Sequence, residues 1–125
     1  MIASKYRLRD YEVERVFKRG RPFFGRLWSL HVLPDTRHQG FRMALSISRK
    51  HDKRSVWRNR YRRVMYDALL PLLKAGMAEQ QKSMTPKGLQ CIFVLKKGLK
   101  LTDVAVQEVM VADALALFEK ATRQN

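Results

Sequence analysis

GFRMALSISRKHDKRSVWRNRYRR, residues 40–63, changes period in its middle. From 42 to 48 the side chains alternate. Met43, Leu45 and Ile47 fall on one face, and Arg42, Ala44, Ser46 and Ser48 on the other. A period of two marks a half-buried strand. From Ser55 the apolar positions Trp57, Tyr61, Val64, Met65 and Ala68 follow a period near 3.6, which predicts a helix over 55–70. Pro71 is expected to end or kink it. At 100° per residue, Arg58, Asn59, Arg62 and Arg63 lie opposite that stripe, with Arg60 at the edge of their arc. A strand with one face of small and polar residues therefore runs straight into a basic helix.

Outward from this stretch the pattern is mixed. A first helix fits 10–19. Asp10 is placed to cap it, Val13, Val16 and Phe17 form an apolar stripe, and Gly20 suits a left-handed C-terminal position. Pro22 opens an extended region. Residues 27–33 alternate, with Trp28, Leu30 and Val32 opposed to Leu27, Ser29 and His31. Residues 89–95 (LQCIFVL) read as a strand buried on both faces. A last helix is expected from Thr102 to about Lys120, with Asp103 in its first turn. The 125 residues suit one domain, with a flexible loop over 76–88. Helices and strands in this order predict an α+β sandwich whose sheet packs on helices with one face and leaves the other open.

Net charge is +15, and it is concentrated. Residues 15–63 hold fifteen basic and two acidic side chains, whereas residues 1–14 balance and residues 64–125 nearly do. Such density repels itself unless a polyanion screens it, which points first to nucleic acid and second to an anionic membrane surface. No apolar run approaches the ~20 residues of a bilayer span, and no membrane partner is expected. The first ten residues hold no signal-like apolar run. A single cysteine, Cys91, excludes an intrachain disulfide and fits a reducing cytoplasm.

His31, His38 and His51 lack metal-ligand spacing, so no zinc site is expected. There is no glycine-rich phosphate loop and no nucleophile elbow. Asp10, Glu12 and Glu14 are best placed to serve the dipole of the first helix. A two-metal nuclease needs converging carboxylates, and none are evident. What stands out is Arg58-Asn59-Arg60-Tyr61-Arg62-Arg63. Arginine forks bind phosphate bidentately, and asparagine offers a donor and an acceptor to a sugar or base edge.

Taken together, G40-FRMALSISR-K50 followed by S55-VWRNRYR-R63 resembles the signature of the bacterial ribonuclease P protein family. Val16-Phe-Lys-Arg-Gly20 is similar to that family's opening, and Ile92-Phe-Val-Leu-Lys-Lys-Gly98 to its fourth strand. The resemblance covers nearly the whole chain in order. It implies an α-β sandwich of order αβββαβα with a left-handed βαβ crossover. It implies that a catalytic RNA, with bound Mg²⁺, hydrolyses precursor tRNA while the protein supplies no catalytic residue and no metal ligand. Arg58, Asn59, Arg60, Arg62 and Arg63 would then bind the ribonuclease P RNA. Val13, Phe17, Ser29, His31, Ser46, Ser48, Arg49 and Lys50 would line a cleft for the 5′ leader. Val13 and His31 stand where that pattern usually has aromatics, and Tyr66 where it has a further arginine. A ribosomal or other non-catalytic RNA-binding protein is the alternative, followed by a DNA-binding regulator and a self-sufficient nuclease.

Overall fold

The computed structural model describes residues 6–35, 41–81 and 88–124. In chain order they form α1 (Asp10–Arg19), β1 (Arg21–Phe24), β2 (Trp28–Asp35), β3 (Phe41–Ser46), α2 (Ser55–Gln81), β4 (Gly88–Leu95) and α3 (Val104–Gln124). This is the expected αβββαβα order. The four strands lie in the order β1-β2-β4-β3. β1 and β2 are antiparallel, as are β2 and β4, whereas β3 and β4 run parallel and are joined through α2.

Strand alternation sorts the sheet into two faces. Trp28, Leu30 and Val32 of β2, Met43 of β3 and Cys91, Phe93 and Leu95 of β4 are buried on one side. There they join Tyr61, Met65, Leu69 and Leu73 of α2 and Met110, Ala114, Leu117 and Phe118 of α3 in one core. Burying each larger apolar side chain contributes roughly 1.5–3 kcal/mol. The Trp28 indole N–H is satisfied by the Met110 carbonyl at 3.0 Å. α1 packs on the opposite face, over β2 and β4. With a helix on either side, β4 is largely buried on both faces, as its mostly apolar run predicts, with Leu89 and Val94 half-buried.

Helix ends differ from expectation in instructive ways. α2 continues through Pro71 to Gln81, so the loop expected from residue 76 starts inside a helix, and 82–87 lie outside the described residues. Pro71 and Asp67, whose carbonyl loses its helical partner to the proline, are both exposed, so water can satisfy that group. The buried stripe of α2 is Tyr61-Met65-Leu69-Leu73, not one through Val64, which is 40 % exposed. At α1 the first turn is closed by Glu12, whose carboxylate accepts the Arg9 N–H at 3.0 Å; Asp10 is already helical. Gly20 is extended (φ −71°) rather than left-handed. Its need for glycine is spatial, because a Cβ there would lie 2.4 Å from the Val16 carbonyl oxygen. α3 begins two residues later than expected, with the Asp103 carboxylate accepting the Ala105 N–H at 2.9 Å.

Candidate nucleic-acid interface

On the α1 side the register stacks the sheet into transverse rows. Leu33, Gln90 and Arg42 form one row, then Pro22, His31, Ile92 and Ala44, then Phe24, Ser29, Val94 and Ser46. α1 covers the β2 and β4 members of the first two, while Pro22 at the β1 edge stays exposed. Glu12, 4 % exposed, reaches onto the Gln90–Arg42 row, and Val16 is fully buried. Phe17 meets His31 edge to face at 5.1 Å. The third row is not sealed: Ser29, Val94 and Ser46 are half-buried and Phe24 is exposed. Val13 is half-buried on α1 one turn before Phe17. The result is a cleft floored by small and polar side chains and walled by α1.

Of the expected cleft residues, Val13, Phe17, Ser29, His31 and Ser46 share this face. Ser48, Arg49 and Lys50 do not: β3 ends at Ser46, and these three are exposed in the following loop. That loop is held by the His51 N–H to the Ser48 carbonyl at 3.1 Å and by the buried His51 ring, whose Nδ1–H donates to the Leu99 carbonyl at 2.8 Å. Arg49 and Lys50 therefore lie exposed in the loop that follows the Ser46 end of β3. Partial burial lowers the His31 pKa, which favours the neutral ring.

Arg42, on the polar face of β3, is occupied. Its guanidinium donates to Glu12 at 2.6 and 2.8 Å and to the Arg7 carbonyl at 2.9 Å. Glu12 also accepts the Gln90 amide at 3.1 Å. The carboxylate expected only to serve a helix dipole is thus the buried anchor of α1 on the sheet.

The basic helix also divides. Asn59, Arg60 and Arg63 are exposed. Arg62 is half-buried and turns back, donating to the Ile47 carbonyl at 3.2 Å and to Asn59 Oδ1 at 3.4 Å. Arg58 is half-buried too. Arg54 and Arg60 place their guanidiniums 5.5 and 5.6 Å from the Trp57 ring centre, and Trp57 stacks on Tyr61. Tyr66 packs against β3 through the Leu45 backbone, and burial raises its pKa. Because Arg62 touches Ile47, the residue after Ser46, the arginine face and the cleft meet along the edge of β3.

Sequence reading missed Phe24 and Val94. Phe24 lies on a four-residue strand, too short to show alternation. Val94 is one letter in an apolar run that hides which of its residues face the cleft. It also missed Asp113 of α3, whose carboxylate accepts the N–H groups of Arg26, Leu27 and Trp28 at 2.9–3.1 Å and pins the β1–β2 turn. A Cβ at Gly25 would lie 2.8 Å from that carboxylate.

Among the described residues no three His, Cys, Asp or Glu side chains gather. Glu12 is held by Arg42, Gln90 and the Arg9 amide, Asp113 by three amides, and Asp52 by Arg54. Nor is any helix among them long and apolar enough to cross a membrane.

A strongly basic α+β chain with one unsealed row on its α1-covered sheet face, beside an arginine helix, has the character of a small RNA-binding protein. The Ribonuclease P family model matches residues 2–121, and the chain belongs to the ribonuclease P protein family, the protein subunits of a tRNA-processing ribonuclease. Its fold is similar to that of the Staphylococcus aureus RNase P protein, at 16 % identity and a TM-score of 0.65 over 93 % of this chain and 94 % of that one. It is equally similar to a mutant of that protein with defective mRNA degradation activity, at 16 % identity and a TM-score of 0.66 over 94 % and 89 % of the two chains. None of the curated proteins matches it in sequence.

Proposed function

We propose that this protein holds two RNAs at once in the cytoplasm. Asn59 and the arginines at 58, 60, 62 and 63 grip the ribonuclease P RNA, while the cleft receives the single-stranded 5′ leader of precursor tRNA. Cleavage belongs to the RNA subunit and the Mg²⁺ bound there. The carrying observation is the unsealed row Ser29–Val94–Ser46, which ends against the arginine-bearing helix at Ile47 and Arg62. An extended strand lying on that row meets hydroxyls and one apolar side chain, with Arg49 and Lys50 in the loop that follows Ser46. Phosphates leaving the cleft thus pass from neutral donors to cations. The neighbouring carboxylates, Glu12 and Asp113, are spent on internal contacts and do not repel the strand.

Two measurements test this. The protein alone is expected to leave precursor tRNA intact, and adding ribonuclease P RNA with Mg²⁺ to produce the mature 5′ end. Clean cleavage by protein alone would make it a self-sufficient nuclease. Ser46→Trp sets an indole on the β3 flank of the cleft and is expected to block it. In the holoenzyme it is expected to weaken binding of leader-bearing precursor while leaving mature tRNA unchanged. Equal losses for both would mean that the leader does not lie there.

A further inference from the structure

Phe24 is 67 % exposed, whereas Phe23 beside it is buried in the core. The difference follows from alternation: Phe23 pairs with Leu30 on the core side, and Phe24 pairs with Ser29 on the cleft side. A ring this large left in water forgoes the burial that drives folding. Nothing in the fold uses it. On the same face lies Phe17, 44 % exposed, with its edge against His31, which in turn pairs with Pro22. The β1 flank of the cleft is therefore aromatic, while its β3 flank is small and hydroxylic.

Two features decide what this aromatic flank receives. The first is charge. Lys18 and Arg19 at the end of α1 and Arg26 in the β1–β2 turn are exposed, whereas Arg21 lies over the Phe23 ring at 5.3 Å on the core side; Glu14 is paired with Lys18 at 3.2 Å. A cationic rim around flat apolar faces suits a nucleic-acid strand, phosphates outside and bases inward. The second is the edge itself. The Gly25 N–H donates to the Trp28 carbonyl, so alternation turns the backbones of Pro22 and Phe24 away from β2. Pro22 has no N–H to offer, which makes β1 a poor template for another strand. A second copy adding to the sheet is disfavoured here.

We propose that Phe24 is a stacking platform for one base of the single-stranded RNA that crosses the cleft, with Phe17 lining the way to it. The inference rests on the leader-cleft reading above and adds the residue that grips a base. Stacking is tolerant of base identity, because every base has a π-face. Phe24 thus contributes affinity at one leader position and little sequence preference.

The test uses reconstituted holoenzyme and precursor tRNAs carrying 2-aminopurine at successive leader positions. Wild-type protein is expected to quench one position on binding. Phe24→Ala is expected to abolish that quench and to weaken leader-bearing precursor by roughly five- to a hundredfold, the range of one base–aromatic stack, with mature tRNA unaffected. Phe24→Trp is expected to keep both properties. Phe24→Leu, which keeps apolar bulk without a ring, is expected to behave like the alanine variant. Wild-type behaviour from Phe24→Ala or Phe24→Leu would overturn the proposal, and so would a marked fall in melting temperature for Phe24→Ala, since the ring would then belong to the fold. Ser46→Trp separates the two levels. If it discriminates against leaders while Phe24→Ala does not, the stacking assignment alone fails. If neither discriminates, the cleft reading fails with it.

Discussion

Arg60 and Arg62 are two residues apart on α2 and are held in different ways. Arg60 lies over Trp57 with its guanidinium exposed, while Arg62 bonds the Ile47 carbonyl. Arg60→Ala is expected to leave the melting temperature unchanged and to reduce the log–log salt slope of binding to ribonuclease P RNA by roughly one unit. Arg62→Ala is expected to lose a comparable slope and also about 1 kcal/mol of stability, the worth of one hydrogen bond. Titration at several salt concentrations, alongside urea denaturation, reads both; a wild-type slope for Arg60→Ala would make it a solvated side chain. Glu12 is the other decisive residue. Glu12→Ala removes the carboxylate from the half-buried Arg42 guanidinium, leaving it only the Arg7 carbonyl, and is expected to cost roughly 3 kcal/mol in urea denaturation. A loss below 1 kcal/mol would show that water replaces the carboxylate. Neither distinction is legible in the sequence. Helical periodicity places an arginine's Cα on an arc, but its long side chain can curl back to a strand edge. The partner of Glu12 lies thirty residues away in sequence, where no local pattern connects them.

At the scale of elements, period proved a better guide than punctuation. α1, β2 and β3 stand near where 3.6 periodicity or alternation put them, with β3 ending at Ser46 rather than 48, and β4 stands where its apolar run put it. Pro71 is the exception that explains itself: a proline ends a helix only if the next turn has nothing to gain. Here Leu69 and Leu73 are both buried on the same stripe, and continuing the helix through Pro71 is what brings Leu73 into the core. The penalty persists all the same. Pro71→Ala restores an N–H facing the Asp67 carbonyl and is expected to raise stability by on the order of 1 kcal/mol, less than the intrinsic ~3 kcal/mol because the site is exposed and solvated. A rightward shift of the urea midpoint with unchanged m-value checks it. A destabilised variant would mean that the proline sets a bend the core requires.

The whole molecule joins a dry interior to a surface carrying +15. Cys91 reports on that interior. Complete burial pushes its thiol pKa up to about 12, from an ordinary value near 9. At pH 8 the native thiol is both protonated and out of reach, so a disulfide reagent is expected to label it only when the molecule opens. Labelling should accelerate with urea along the global unfolding curve. Sulfate or RNA, by screening the surface charge, should slow it. Labelling independent of urea would reveal a local opening around β4. At this scale the layered α+β class and the basic surface were readable from composition and period. The strand order was not, since nothing in a strand's own residues names its neighbour.

That order has a consequence during synthesis. β4, the last strand to be made, is an inner strand: Leu95 lies opposite Trp28, and Gly88 opposite Asp35. Until residue 95 has left the ribosome, β2 and β3 have no common neighbour, and the sheet is two fragments with a gap between them. The most cationic part of the chain, residues 15–63, emerges well before that gap can close. The nascent protein thus carries its basic stretch past ribosomal RNA before the sheet can close. Moving β4 ahead of β1 by circular permutation would give the growing chain its middle strand first.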